Sequence, residues 1–358
     1  DLNGRAAALA EEPLRDAELA IECHSKVVDL DGANKGSLSA LARLSLQRNE
    51  PAEAAKWLRK RLDTASDKER VAVLLQLARA RIKAEKEETA IKALQTAFEE
   101  APRNAEVRKL LFGLYRSGKN WTALASALSR ATEHVTDEAT VLSYAREAAQ
   151  MYHDKLDAPA DAVPVLRKAV SIAGDDRQLN TMLAQGLRLS GELDEAAELL
   201  NRLIEAFGRR RSTERAAMHL ELARVLHGQG DKERAIEELD KASKMDAGNV
   251  IILHTLAELA RENDELDRAE RAYRTLLLKV RRASSDKKKG ADVPIGAPEV
   301  LLELSRIAAA RGQKDKADEL LESAMEALAQ NDAEAPRLQT KLREQAEFAL
   351  LHRVLETR

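Results

Sequence analysis

A small residue returns along this chain about every 34 positions, at Ala20, Ala54, Ala90, Ala123, Ala162, Ala196, Ala235, Ala269 and Ala317. Ahead of most of these, with its second member about twelve residues upstream, stands an apolar pair: Leu41-Ala42, Leu77-Ala78, Leu110-Leu111, Leu183-Ala184, Leu222-Ala223, Leu256-Ala257 and Leu304-Ser305. Ala148-Ala149 fits with one extra residue. One helical turn after the landmark comes a large apolar side chain, as at Leu58, Leu94, Leu166, Leu200, Leu239, Tyr273 and Leu321. Self-similarity at a fixed period of this length confines a chain to stacked repeats, each too small to bury its own apolar face.

Between the two halves of a unit lie turn formers: Arg116-Ser117-Gly118-Lys119-Asn120, Ser190-Gly191-Glu192, Gly228-Gln229-Gly230-Asp231 and Arg311-Gly312-Gln313. Glycine there supplies the left-handed conformation that closes a helix, so each unit reads as helix, tight turn, helix. The alanine on the second helix lets its backbone approach the apolar pair on the first. Composition agrees: 44% hydrophobic and 33% charged residues with only 3% aromatics favour helices and supply few strand formers.

The pattern resembles the tetratricopeptide repeat, most clearly in MHLELARVLHGQGDKERAIEELDKASKMDAGN (Met218 to Asn249), LNTMLAQGLRLSGELDEAAELLNRL (Leu179 to Leu203) and LLQLARARIKAEKEETAIKALQTAFEEAPRN (Leu74 to Asn104). The resemblance implies an all-α fold, a right-handed α-solenoid of about nine units near 1–34, 35–68, 71–104, 104–137, 142–176, 177–210, 216–249, 250–283 and 298–331. Departures from the family pattern fall at Val107 and Asn180, where an aromatic residue often opens the first helix, and at Gly32, Gly208 and Ala247, where proline often ends the unit. Gly4 and Pro13 weaken the first copy, and Pro164 threatens a kink early in a second helix.

Two stretches break the rhythm. Residues 284–297, SSDKKKGADVPIGA, have the composition of a solvated insertion at a repeat junction, with a docking loop through Lys287, Lys288 and Lys289 as the alternative. Arg209, Arg210 and Arg211 form a smaller basic break. Residues 335–358 read as a capping helix, opened by Pro336 and striped by Leu338, Leu342, Ala346 and Ala349, with Phe348, Leu351 and Leu355 beside them; a contact to another subunit is its alternative role. The absence of an initial methionine leads us to expect an excised piece or a processed form.

A net charge of −3 offers no basic excess for nucleic-acid binding. No apolar run is long enough to cross a bilayer. The single Cys23 has no disulfide partner within the chain and no zinc-ligand company, which suits a reducing compartment such as the cytoplasm. No phosphate loop, zinc helix or nucleophile elbow is present. Gly32-Ala33-Asn34-Lys35-Gly36-Ser37 imitates a phosphate loop but lacks the lysine after its second glycine and reads as a turn. His24 is expected at a packing position beside Cys23. His153 and Asp154 are expected to diverge on their helix, while His254 and Glu258 lie one turn apart; neither pair makes an active site. No enzyme activity and no cofactor are expected.

In the resembled family, first helices line the concave face and partners lie along it. By register that face would carry Arg43, Arg79, Lys83, Arg108, Phe112, Tyr115, Arg116 and Arg146 early in the array and Gln185, Arg188 and Arg224, with His227, His254 and Glu258, later. The early part reads as a basic groove with two aromatics, suited to a protein or peptide with an acidic segment; a plain solvated face is the alternative. The expectation is therefore a non-catalytic scaffold or adaptor. The alternatives are a recruiting module of a larger protein or enzyme, and a structural subunit that oligomerises through its terminal helices.

Overall fold

The computed structural model describes residues 2–11, 16–208, 211–285, 295–330 and 335–344, with His352 and Val354. Among them every regular element is helical, and the fold is an all-α solenoid of antiparallel helix pairs. The chain divides into two compact units, Asp1–Gly174 and Asp175–Arg358. The first contains α1 (Leu2–Glu11), α2 (Ala17–Leu30), α3 (Lys35–Gln47), α4 (Pro51–Asp63), α5 (Asp67–Lys83), α6 (Glu87–Glu100), α7 (Ala105–Ser117), α8 (Trp121–His134), α9 (Glu138–Asp154) and α10 (Val163–Ile172). The second contains α11 (Arg177–Ser190), α12 (Leu193–Ala206), α13 (Thr213–Gly228), α14 (Lys232–Met245), α15 (Val250–Glu262), α16 (Leu266–Ser285), α17 (Ala297–Ala310), α18 (Lys314–Gln330) and α19 (Ala335–Glu344).

Helix starts are set by short polar side chains. Asp16, Asn34, Asn104, Asn120, Asp137, Asp176, Ser212, Asp231 and Asn249 each accept hydrogen bonds from amides two or three residues on, which satisfies donors the helix cannot use itself. The periodic alanine acquires a structural definition from these starts. Ala20, Ala54, Ala90, Ala196, Ala235, Ala269 and Ala317 are the residues whose N–H reaches back to the capping carbonyl four positions earlier. All are buried.

The α7–α8 pair breaks the alanine rule. Its amide bond to the Asn120 carbonyl comes from Leu124, not Ala123, and Leu124 is fully buried while Ala123 is half-exposed. On α7 the matching pair is Leu111-Phe112, one residue later than the expected Leu110-Leu111, and both are buried. One residue is a rotation of about 100° on a helix, which moves every side-chain assignment on α7 to a different face.

The turns within the pairs also correct an expectation. Eight consecutive pairs from α3–α4 onward each contain one left-handed residue: Asn49, Glu85, Lys119, Asp157, Gly191, Gly230, Asp264 and Gly312. In seven of these, the next amide bonds the carbonyl five positions back, as in Glu50 to Ser45, Asn120 to Tyr115 and Gln313 to Ala308, a Schellman closure. The expected left-handed Gly118 instead has φ −79°, and Lys119 takes φ +52°. The bond from Asn120 to Tyr115 requires the left-handed residue immediately before the donor, and that is Lys119.

Pro164 does not kink a helix. The second element of its pair is divided into a 3-10 turn, Pro159–Ala162, and α10, whose first turn holds Pro164 where no amide is needed. At the other end, Leu338 and Leu342 of α19, with Val354, pack against Leu301, Leu302, Ala324, Met325 and Leu328 of α17 and α18. Pro13, Arg209, Arg210, Lys287 to Lys289, Ala346, Phe348, Ala349, Leu351 and Leu355 lie outside the described residues.

Candidate partner-binding surface

The residue that follows each apolar pair on a first helix faces away from the partner helix. In the first unit these are Arg43, Arg79, Gly113 and Gln150, all exposed; in the second they are Gln185, Arg224, Glu258 and Arg306, all half-buried. Between α3 and α5 this face opens into a cleft of about 720 Å³. Arg43, Gln47, Gln76 and Arg79 supply its polar wall, and Ala40, Leu46 and Leu58 its apolar surface. Gln47 and Gln76 were not among the residues expected from the sequence, although Gln76 directly precedes the Leu77-Ala78 pair that locates the face.

The basic groove expected on α7 is corrected by the one-residue register. Phe112 is 2% exposed and makes edge-to-face contacts with Phe98 and Tyr144, at centroid distances of 6.0 and 5.6 Å. Tyr115 is 4% exposed, its hydroxyl accepting a hydrogen bond from Gln95 Nε2 at 2.9 Å, and burial raises its pKa. Arg108 is buried and donates Nη1 to the Pro102 carbonyl at 2.7 Å. Phe112 and Arg108 are packing residues, and Tyr115 lines a cleft between α6 and α8 instead of the expected groove. At the position that carries Arg43 and Arg79 on the preceding first helices, α7 presents Gly113, and a β-carbon there would meet nothing within 4 Å.

The remaining cations are largely engaged. Arg79 pairs with Glu106, and Arg116 donates two hydrogen bonds of 2.8 Å to Glu147, each joining one first helix to the next. Lys83 and Arg146 are exposed. In the second unit a related device occurs twice. Glu221, 5% exposed, receives Arg188 at 3.3 Å and Arg224 at 2.6 Å; Glu303, 2% exposed, receives Arg261 at 3.4 Å and Arg306 at 2.6 Å. In each, an arginine from the preceding first helix and one three residues further on enclose a buried carboxylate. A charge so placed is tolerated only when paired, so Arg188 and Arg224 have a structural duty besides any role toward a partner.

Other polar groups are accounted for within the fold. Glu69 closes the start of α5: it accepts from the Ser66 amide and hydroxyl and from Lys35, with Arg61 on its other oxygen, and the Ser66 amide foremost among these donors pulls its pKa down to about 2. His24 Nδ1 lies 3.1 Å from Ser37 Oγ, and Cys23 is buried. His153 and Asp154 do meet, at 2.9 Å, contrary to expectation, because they end α9, where the side chains can lean toward each other. His254 and Glu258 are 3.2 Å apart. Among the described residues no group of three or more His, Cys, Asp or Glu side chains is placed to hold a metal ion, and no helix is long and apolar enough to cross a membrane.

Two family models match stretches of this architecture. One tetratricopeptide-repeat family model matches residues 37–72, spanning most of α3, α4 and the start of α5, and another matches 216–249, spanning α13 and α14. Residues 37–72 and 216–249 are thus tetratricopeptide repeats. Among solved structures it is similar to the MamA protein, with 16% identity, a TM-score of 0.42, and 52% of this chain covering 92% of that one. It is also similar to BtubC (BKLC) from P. vanneervenii, with 18% identity, a TM-score of 0.46, and 60% of this chain covering 92% of that one. No curated protein sequence matches.

Proposed function

We propose that the protein is a non-catalytic adaptor or scaffold that holds a protein partner reversibly in the α3–α5 cleft. The supporting observation is the cleft itself: two arginines and two glutamines surround an apolar surface on the face that the helix pairs leave uncovered. Guanidinium and amide donors suit carboxylates and backbone carbonyls, and the Ala40, Leu46 and Leu58 surface suits a small apolar side chain. The chemistry fits an extended acidic segment bearing one apolar residue. A cytoplasmic setting is part of the same reading, for which Cys23, buried and without a disulfide partner in the chain, is suited.

The test is fluorescence anisotropy with labelled peptides of matched length, one acidic with a central leucine, one neutral and one basic. The acidic peptide should bind most tightly, weaken with added salt, and lose at least about tenfold in affinity to an Arg43→Glu, Arg79→Glu variant, since charged contacts of this kind are each worth a large share of a weak complex. Equal binding of all three peptides, or an unaltered affinity in the variant, would remove the cleft from consideration.

A further inference from the structure

A second surface lies in the second unit, far in sequence from the α3–α5 cleft and made by second helices instead of first ones. On α18 the exposed residues include Asp315, Asp318, Glu319, Glu322 and Glu326. Their spacing of three and four places them within one stripe, about 16 Å long at 1.5 Å per residue. On α16 the exposed residues include Arg271, Arg274, Leu278, Arg281 and Arg282, a stripe of the same length with opposite charge. Leu278 in its middle is 59% exposed. The two helices belong to one packed layer: Lys316 at the start of α18 bonds Glu270 of α16 at 2.9 Å, and Leu277 packs on the same core cluster as Leu320 and Leu321.

The acidic stripe gathers five exposed carboxylates on one helix. Elsewhere an exposed carboxylate can be matched by a cation, as in Glu22 with Lys26 on one helix and Glu106 with Arg79 between two first helices. None of the five carboxylates on α18 takes part in an ion pair or hydrogen bond among the described residues. Asp315 gains from the helix N-terminus, but Asp318, Glu319, Glu322 and Glu326 lie beyond its first turn. Asp318 with Glu322 and Glu322 with Glu326 are like charges one turn apart, an arrangement that weakens a helix. On α16, Arg274 reaches Glu270 at 2.8 Å, whereas Arg281 has no partner among the described residues.

Adjacent stripes of equal length and opposite sign on one surface are self-complementary. A two-fold axis running between them lays the positive stripe of one molecule along the negative stripe of the other, and does so twice, which is the requirement for a closed isologous contact. We propose that α16 and α18 form the contact between two copies of this chain, each arginine stripe covering the partner's carboxylates with Leu278 enclosed between them. The dimer so formed is held mainly by charge and weakens as salt rises.

Sedimentation velocity at low and at physiological salt tests this with two surface variants, Glu319→Lys with Glu322→Lys and Arg274→Glu with Arg281→Glu. All four side chains are exposed, and circular dichroism verifies that the helices are kept. The wild type should dimerise in a salt-sensitive manner, and each variant alone should self-associate at least about tenfold more weakly. An equimolar mixture of the two should recover the dimer, because both contacts then again join opposite charges. A wild type that stays monomeric at low salt, a dimer indifferent to both charge reversals, or a mixture that fails to recombine would overturn the proposal. None of these results bears on peptide binding in the α3–α5 cleft.

Discussion

Leu124 is the one large residue at a position that the described second helices otherwise fill with alanine, and its truncation discriminates two accounts of the α7–α8 pair. If the side chain were crowded into a space built for alanine, Leu124→Ala would relieve strain and stabilise the protein. Its complete burial, together with the buried Leu111 and Leu128, indicates a pair whose spacing has adjusted to it. Truncation then removes about three carbons at about 0.8 kcal/mol each. Adding the cavity left behind brings the cost to about 3 kcal/mol, within the range of about 2–5 for such changes. The assay is urea unfolding followed by tryptophan fluorescence. Both tryptophans, Trp57 and Trp121, lie in the first unit, and Trp121 opens the same helix as Leu124. With a denaturant dependence of about 2 kcal/mol per molar, the fluorescence midpoint should fall by about 1.5 M. An unchanged or higher midpoint would refute the one-residue register and return Phe112 to the open face.

Gly113→Ala should raise the same midpoint by the equivalent of about 0.5–1 kcal/mol, since α7 gains helix propensity and the added methyl meets open space; a lower midpoint would show that the position is not free. Lys35→Ala should bring the Glu69 pKa up from about 2 toward the ordinary carboxylate range, read by NMR titration, with a smaller rise for Ser66→Ala, which removes the hydroxyl and keeps the amide donor. Because that pKa is lower folded than unfolded, the wild type should lose this contribution to stability as pH falls from the ordinary carboxylate range toward 2, and a Glu69→Gln variant should not show that part of the decline. Glu303→Ala should cost about 3 kcal/mol by leaving Arg261 and Arg306 without their shared carboxylate. The loss should appear in the circular dichroism melt and leave the tryptophan transition in place.

The helix pairs were legible because one packing requirement, a small side chain where two backbones approach, leaves a mark at nearly every repeat. The α7–α8 register was not, for a local reason. Leu110-Leu111-Phe112 and Ala123-Leu124-Ala125 are runs that accept the pattern in two adjacent frames, and hydrophobicity alone does not choose between them. The choice is made by Asn120, whose carbonyl fixes the first helical bond of α8. Once α7 is read in the wrong frame, Phe112, Tyr115 and Arg108 are assigned to solvent and Gly113 is overlooked. On α3 and α5, where the Leu-Ala pair is unambiguous, Arg43 and Arg79 do face the cleft. The enclosed Glu221 and Glu303 were invisible for another reason: each depends on an arginine more than thirty residues away, a relation that periodicity within one helix does not encode.

The left-handed residues at the pair turns leave the molecule room to be hardened. Glycine occupies that conformation freely, asparagine and aspartate at modest cost, but Glu85 and Lys119 carry longer side chains into it against a penalty of about 1 kcal/mol or more each. Their side chains are exposed, so nothing in the packing requires them. The two turns belong to consecutive repeats, and no hydrogen bond or ion pair joins Glu85 to Lys119 among the described residues, which makes their correction to glycine close to additive. A scaffold made of like joints can thus be tuned for endurance one joint at a time, with the surfaces that meet other molecules left as they are.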